Sequence, residues 1–245
     1  MSRLLLALVF LISHLYTNAA KPGSQGAATT VDEVIAEVLA RYGSVADAGN
    51  FQLLGQISYR NQPSHAFTLT LEKTYSRLEV ANPAEQTTII RRDSASQSIR
   101  AGKMDPPTRA RISEAGLNFV PIAALIRFKN DRVYSRKLVT GSDNSQGIRF
   151  VEGVPPGFQP SPLQRKTTVT FWLDSSRRIT SLTFVESEAS ASRTYVFGYE
   201  QSVTAPFLQP NTVIGFFGPS QALSLQVSAA TKNVLIPAGF FDFSR

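Results

Sequence analysis

Apolar side chains recur at every second position in six separate segments after Gly49, and this spacing constrains the fold more than any other feature of the chain. The segments lie at residues 51–59, 67–71, 148–150, 169–173, 195–199 and 223–227. A period of two indicates β-strands, because successive side chains of a strand point to opposite faces of the sheet. The intervening residues are mostly polar, which favours antiparallel strands with one apolar and one wetter face. We therefore predict a mostly β fold with about ten antiparallel strands.

Two segments depart from this period and predict helices. Thr30 suits an N-cap with Glu33 three residues later, and Gly43 suits the helix end. Between them one apolar stripe runs through Val31, Val34, Ile35, Val38, Leu39 and Tyr42. The second helix is predicted at residues 121–128, where Pro121 suits the first helical position. Its apolar stripe consists of Ile122, Leu125 and Ile126.

Two short helices are small covers for a sheet of about ten strands. Large sheets twist and curl, and their apolar face must be covered. Either this sheet closes on itself as a barrel, or it curls partway round the helices and leaves a cavity. We expect a curled antiparallel sheet, an incomplete barrel, whose concave face is covered by the N-terminal helix and the short helical insertion.

One hairpin makes the question of coverage specific. Residues 169–186, "VTFWLDSSRRITSLTFVE", predict two strands around a polar turn. The second strand carries large apolar residues at both parities, Ile179 and Val185 on one and Leu182 and Phe184 on the other. One face must look into the core. We expect Trp172, on the other face, to lie beneath a neighbouring loop, for which the Pro-rich segment 153–163 is the candidate.

The N-terminus predicts a secretory signal peptide over residues 1–20. Arg3 precedes the apolar run Leu4–Ile12, which is too short to span a membrane, and small residues follow up to Ala20. We interpret residues 21–29 as a flexible leader and residues 30–245 as a single β domain. The chain has no cysteine, so neither disulfides nor thiolate chemistry is available. We expect a protein exported to the periplasm or cell envelope, soluble after signal cleavage.

Catalytic motifs are scarce in this sequence. Removal of the signal leaves His65 as the one histidine, and no zinc-protease motif, phosphate-binding loop or serine-nucleophile motif is present. Neighbouring carboxylates occur at Glu72 with Glu79 and at Glu186 with Glu188, without a supporting pattern. We expect no enzyme, no cofactor and no metal; a secreted hydrolase of unfamiliar type is the remote alternative.

The net charge of +7 favours acidic partners. For an exported chain these are anionic lipid headgroups, polysaccharide or an acidic envelope protein, and export argues against nucleic acid. The basic residues form two loose clusters: Arg91, Arg92, Arg100, Lys103, Arg109 and Arg111, then Arg127, Lys129, Arg132, Arg136 and Lys137. Both an anion-attracting rim and ordinary dispersed surface charge remain open.

The order of elements resembles the periplasmic lipoprotein carrier family, whose LolA-like fold is shared with the outer-membrane receptor LolB. "LTLEKTYSRLEV", residues 69–80, is similar to the family's early hairpin, with Lys73 and Arg77 at its two basic positions. Residues 169–184 are similar to its late hairpin, and residues 195–241 to its last three strands. The central hairpin departs from the family, because residues 91–100 lack the usual Asp-Gly and aromatic residue.

The resemblance implies an incomplete barrel whose concave face holds acyl chains. The candidate cavity residues are Phe67, Leu69, Leu71, Phe171, Leu173, Phe197 and Leu225. Ile122, Leu125 and Ile126 would form a movable lid, and Arg77 a rim contact to a headgroup or to the lid. Ordinary core packing is the alternative for each apolar residue.

Two functions follow from this fold. The first is a monomer that binds a lipid or lipidated protein, for transport or sorting in the envelope. The second is a sensor or scaffold of the same fold that carries no cargo and binds a protein partner at a sheet edge or basic face. A continuous cavity of several hundred Å³ would favour the first, and a fully packed interior the second.

Overall fold

The computed structural model describes residues 29–43, 50–60, 63–72, 75–82, 85–91, 97–100, 116–153, 167–186, 192–200 and 208–242. From Val31 onward the described residues belong to one compact unit. Of the other unit, Met1–Thr30, only Thr29 and Thr30 are described. The predicted signal peptide and nearly all of the predicted leader therefore lie outside the described residues.

The first helix, α1, spans Val31–Tyr42, as its apolar stripe predicts. Its buried residues are Val34, Ile35, Val38 and Tyr42. Asp32 and Glu33 occupy the first turn, where negative charge is favourable because the helix dipole is positive there. Gly43 has a φ of 72°, a left-handed conformation that glycine adopts without strain, and it ends the helix.

The second helix, α2, spans Pro121–Asn130 and follows a 3₁₀ turn at Gly116–Phe119. Pro121 is at the start of the helix, where its missing N–H costs nothing. The helix continues beyond the predicted residue 128 and ends at Asp131, which is extended. Its buried residues are Pro121, Ile122, Ala124, Leu125 and Phe128.

Twelve strands are described, where the sequence predicts about ten. They are β1 (Asn50–Tyr59), β2 (His65–Glu72), β3 (Tyr75–Asn82), β4 (Glu85–Arg91), β5 (Gln97–Arg100), β6 (Tyr134–Thr140), β7 (Gln146–Glu152), β8 (Thr167–Leu173), β9 (Ile179–Glu186), β10 (Arg193–Gly198), β11 (Thr212–Phe217) and β12 (Ser220–Lys232).

All twelve strands form one antiparallel sheet that does not close on itself. The strand order is β5-β4-β3-β2-β1-β12-β11-β10-β9-β8-β7-β6, so β5 and β6 are its two edges. Neighbouring strands are consecutive in sequence except at the centre, where β1 pairs with β12, and the consecutive strands β5 and β6 lie at opposite edges. The predicted class, a mostly β fold built on a curled antiparallel sheet, is confirmed.

The hydrophobic core lies on one face of this sheet, which we call the inner face, and both helices pack against it. Leu69 of β2, Phe171 of β8 and Leu225 of β12 are fully buried there, together with Val38 of α1 and Leu125 of α2. Strands from both halves of the sheet therefore share a single core.

A β-bulge explains why the second strand of the 169–186 hairpin carries large apolar residues at both odd and even positions. Phe171 pairs with Leu182, but Leu173 pairs with Ile179, because the register shifts between Trp172 and Leu173. The extra residue lets Ile179 and Leu182 both face the core, where each is 0% exposed.

The other face of that hairpin is the outer face. The Trp172 ring lies against Gly147, where a side-chain Cβ would sit only 2.9 Å from Trp172 Cε3. A glycine is needed at 147 because the indole occupies that space. The predicted cover for Trp172, the Pro-rich segment, falls almost entirely outside the described residues, and Val185 remains 44% exposed.

Candidate functional site

The seven predicted cavity residues all lie on the inner face. Their exposures are 2% for Phe67, 0% for Leu69, 2% for Leu71, 0% for Phe171, 3% for Leu173, 5% for Phe197 and 0% for Leu225. They belong to one hydrophobic cluster with residues of both helices. In this state their apolar surface is covered by the chain itself.

The predicted lid residues are in α2 and contact the same cluster. Ile122 and Leu125 are fully buried, and Ile126 is partly buried against the core. Phe128, at the end of the predicted helix, is also buried here, although the predicted lid residues do not include it. It lies three residues after Leu125 and therefore on the same helical stripe, so its spacing could have predicted its burial.

Phe128 is the centre of an aromatic cluster beneath α2. Its ring centroid lies 5.0 Å from that of Tyr134, 5.8 Å from Phe150, 6.0 Å from Phe171 and 6.1 Å from Phe184. Centroid separations in this range are favourable for aromatic pairs. The described attachment of α2 to the sheet is thus concentrated in apolar and aromatic contacts.

Polar contacts of α2 with the rest of the chain are few among the described residues. Its N-cap, Val120, makes no side-chain capping bond. Arg136 Nη1 donates to the Lys129 carbonyl at 3.4 Å in an exposed position. Just before the helix, Gln209 Nε2 donates to the Phe119 carbonyl, also at 3.4 Å. Both bonds are long, so neither adds much to the docking of α2.

α1 is held differently, by a ring of hydrogen bonds at its last residue. The Ile179 N–H donates to the Tyr42 hydroxyl at 3.0 Å, and the Tyr199 hydroxyl donates to the Ile179 carbonyl at 2.9 Å. The two hydroxyls are 2.5 Å apart. Because the one proton of Tyr199 goes to the carbonyl, Tyr42 is the donor to Tyr199, which closes the ring.

Burial sets the protonation of this ring. It raises the pKa of Tyr42 to about 12, although the hydrogen bond that the Ile179 N–H donates to the Tyr42 oxygen acts in the opposite direction. Burial also raises the pKa of Tyr199 strongly, with a further contribution from neighbouring Tyr42. Both hydroxyls are therefore neutral at any physiological pH, and the ring stays intact.

Ion pairs add a second attachment for α1. Glu37 Oε2 lies 2.6 Å from Arg177 Nε in the β8–β9 turn, and Asp32 Oδ1 lies 2.9 Å from Arg136 Nε in β6. All four side chains are between 30% and 63% exposed, so these pairs are surface contacts.

The turn that carries Arg177 is itself braced. The Asp174 carboxylate accepts bonds from the backbone N–H groups of Ser176 and Arg178 and from the side chain of Arg178 at 2.7 Å. Burial acts to raise the pKa of Asp174, but these hydrogen bonds outweigh it and hold the pKa below its ordinary value. The carboxylate is charged at neutral pH and fixes the turn against which α1 docks.

Arg77, the predicted rim residue, lies on the outer face. It pairs with Thr70 and alternates along β3 with the buried Leu78. Its described side-chain contacts are with Glu79 Oε1, at 2.9 Å, and with Phe240 near the C-terminus. A contact of Arg77 with a headgroup or with the lid stays a prediction. Lys73, its partner in the family pattern, lies outside the described residues.

The basic residues of the second cluster lie at one edge of the sheet and on the adjoining helix. Lys129, Arg132, Arg136 and Lys137 are exposed there, and Arg127 is half-buried. Lys137 lies directly opposite Arg149 in the β6–β7 pairing. The side chains of the first basic cluster lie outside the described residues.

The described part of the chain gives no support to a metal site, since it contains no group of three or more His, Asp or Glu side chains that could hold an ion. Within the same residues, no helix has the length and apolar character needed to cross a membrane. Of the predicted carboxylate pairs, Glu79 is engaged by Arg77 and Glu188 lies outside the described residues.

Comparisons with known proteins bear on the fold. No family model matches this chain, and no curated protein sequence matches it significantly. A crystal structure of a LolA superfamily protein from Nitrosomonas europaea aligns over 88% of this chain and 99% of that chain, with a TM-score of 0.53 at 12% identity. This likeness establishes the fold: the protein has a LolA-like fold, as the sequence predicts.

A second similar structure, from Vibrio parahaemolyticus, is of a domain assigned to outer membrane lipoprotein sorting. It covers 87% of this chain and 96% of that chain at 12% identity, with a TM-score of 0.46. A score this low supports no conclusion about the present chain.

Proposed function

We propose that this protein is exported to the cell envelope and binds a lipid, or the acyl chains of a lipoprotein, between the inner face of the sheet and α2. Transport or sorting of that cargo would be its task. The LolA-like fold supports the proposal, and so does the apolar character of the inner face. The binding would be non-enzymatic, and the acyl chains would contact Phe171, Leu173 and the other predicted cavity residues.

The observation that carries this proposal is the way α2 is held. Its described contacts with the sheet are apolar and aromatic, centred on Phe128. Such contacts are not directional, so acyl chains can replace them without leaving buried polar groups unsatisfied. Outward movement of α2 would open a space lined by Phe150, Phe171 and Phe184.

The free energy gained by burying an acyl chain can be compared with the free energy lost when α2 moves away from the sheet. Hiding an acyl chain of about 16 carbons from water stabilises a complex by of order 10 kcal/mol, at about 0.8 kcal/mol per CH₂. Displacing α2 costs the burial of Ile122, Leu125 and Phe128, at about 1.5–3 kcal/mol each. The loss for these three side chains, about 5–9 kcal/mol, is therefore of the same order as the gain from the acyl chain.

A direct experiment looks for the cargo. The protein is purified gently, examined by native mass spectrometry and extracted with organic solvent, and a fluorescent fatty acid is titrated into the delipidated protein. We expect a co-purified lipid and saturable binding. If neither is found, the carrier proposal fails, and the packed interior would favour a scaffold that binds a protein partner instead.

A second experiment follows α2. The chain has no cysteine, so single thiols report one position each. Ile126→Cys reports α2, and Leu39→Cys is the matched control on α1, because both side chains are partly buried against the same core. Saturating fatty acid should raise the rate of thiol modification at 126 at least fivefold and leave the rate at 39 unchanged. An equal rise at both positions would indicate general loosening and contradict a lid.

A further inference from the structure

The chain does not end with the sheet but returns across its outer face. After β12, Asn233 adopts a φ of 56° and its N–H donates to the Asn50 carbonyl at 3.0 Å. The following residues, 234–242, reach β2 and β3; we call them the C-terminal strap. The strap lies on the face opposite the proposed acyl site.

Three described contacts hold the strap on the sheet, and each is of a kind used in peptide recognition. Arg77 Nη1 donates to the Phe240 main-chain carbonyl at 2.8 Å. The Arg77 guanidinium carbon lies 4.4 Å from the centre of the Phe240 ring, a cation–π distance. The Tyr75 and Phe241 rings stack with their centroids 5.6 Å apart. Phe240 and Phe241 lie in a turn, in which the Phe240 N–H donates to the Pro237 carbonyl at 3.1 Å and the Asp242 N–H to the Gly239 carbonyl at 2.8 Å. A peptide that turns in the same way can present the same carbonyl and the same two rings.

The strap uses this site incompletely. A cleft of about 450 Å³ remains between it and the sheet, lined by Glu72 and Tyr75 on the sheet side. Arg77 Nε is buried, and within the described residues no acceptor bonds it. Leu235 is 92% exposed, so the first part of the strap gains little burial from its position. Six of the eight residues that line the cleft belong to the strap, so the cleft shows that the strap packs loosely on the sheet. The unused Arg77 donor is a group that a better-fitting peptide could bond.

We propose that Arg77, Tyr75 and Glu72 form a peptide-binding site on the outer face, which the strap occupies until a peptide from a partner protein, with two consecutive aromatic residues in a turn like that of the strap, displaces it. Arg77 recognises the aromatic ring and its carbonyl together, and Tyr75 stacks on the next ring. This site is separate from the acyl site, so each proposal stands or fails alone.

The test uses the full chain and a labelled synthetic peptide with the strap sequence, VLIPAGFFD, followed by fluorescence anisotropy. Phe240→Ala weakens the strap in place while leaving the sheet side of the site intact. This variant should bind the peptide at least tenfold more tightly than the wild type does. Arg77→Ala in the Phe240→Ala background should reduce binding at least tenfold, whereas Arg132→Ala, an exposed arginine elsewhere, should leave it unchanged.

A second measurement does not depend on any change at Arg77. A peptide with both phenylalanines replaced by alanine should fail to compete with the labelled peptide on the Phe240→Ala protein. Equal binding by wild type and Phe240→Ala, or equal competition by the alanine peptide, would overturn the proposal and leave the strap as a fixed cover of the sheet. Fatty-acid binding measured beside these assays should not change with the peptide.

Discussion

The two helices pack on the same face of one sheet but are fastened by different forces. α1 ends in a closed ring of hydrogen bonds that joins Tyr42, Tyr199 and Ile179. α2 rests on Phe128 and its aromatic neighbours, and its two described polar bonds are both 3.4 Å long. Burial does not distinguish the two helices, because residues of both belong to the same hydrophobic core.

The difference teaches which cover can exchange with a ligand. A buried hydrogen-bond ring leaves unsatisfied polar groups when it opens, so opening is costly whatever replaces the helix. An apolar contact costs only the burial it loses, and an acyl chain restores that burial. We therefore propose that α1 is a fixed cover of the sheet and that α2 is an exchangeable one.

The largest expected effect comes from comparing a core residue of the sheet with a core residue of α2. Phe171→Ala should lower the free energy of unfolding by about 3–5 kcal/mol, because the ring is fully buried. Phe128→Ala should lower it by less, about 1.5–3 kcal/mol, because a helix held by non-directional contacts can shift into the space and so avoid most of the cost of a cavity. Urea unfolding followed by circular dichroism measures both.

Hydrogen exchange provides the control for this pair. In Phe128→Ala the amides of α2 should exchange faster, while those of α1 keep their wild-type protection. Equal loss of protection in both helices would mean that they open as one cooperative unit, and the distinction between a fixed and an exchangeable cover would be wrong.

The next effect breaks the ring at α1. Tyr42→Phe keeps the packing but leaves the Ile179 N–H without its acceptor, which should cost about 1–3 kcal/mol. Tyr134→Phe is the matched control on the α2 side, because Tyr134 packs against Phe128 and none of its described contacts is a hydroxyl hydrogen bond. That control should change stability by less than about 0.5 kcal/mol. Equal losses of stability in the two variants would mean that the broken hydrogen-bond ring is not the cause of the loss in Tyr42→Phe.

The pH dependence of stability should show the same ring. The folded pKa of Tyr42 is raised to about 12 from the ordinary 10.0, so the neutral hydroxyl is favoured in the folded state. Its contribution is complete below pH 10 and is lost as the pH rises from about 10 towards 12, with a total of at most about 3 kcal/mol.

Comparison with Tyr42→Phe isolates the coupled titration of the two ring hydroxyls, because the titrations of lysines and of tyrosines outside the ring are common to both proteins. The difference in unfolding free energy between wild type and variant should be constant from pH 7 to about pH 10 and shrink above it. A difference that stayed constant to pH 11.5 would contradict the assigned role of the Tyr42 hydroxyl.

Much of the fold follows from local patterns in the sequence. The alternation of apolar residues predicts β1, β2, β7, β8, β10 and β12, and the capping residues and Gly43 predict α1, because both signals depend on near neighbours. The bulge after Trp172 was not predictable from alternation, since a one-residue register shift leaves no mark in the pattern beyond apolar residues at both parities.

The polar contacts of the site could not be predicted from the sequence, for a different reason. Tyr42 and Tyr199 are 157 residues apart, and their contact exists only once the sheet has brought them together. Arg77 illustrates the same limit, because its side depends on the β2–β3 register and its partner Phe240 lies at the other end of the chain. Phe128, by contrast, could have been predicted from its helical spacing.

The smallest expected effect concerns the ion pairs of α1. Glu37→Gln removes the charge opposite Arg177 but leaves the Arg177–Gln146 hydrogen bond in place. Because the Glu37 side chain is 49% exposed, the loss should be below about 1 kcal/mol and should vanish in 1 M salt. Asp32→Asn, which removes the pair with Arg136, should behave alike. Chemical denaturation at low and high salt measures both losses. A loss above about 2 kcal/mol that persists in salt would mean that these ion pairs, rather than the tyrosine ring, hold α1 on the sheet.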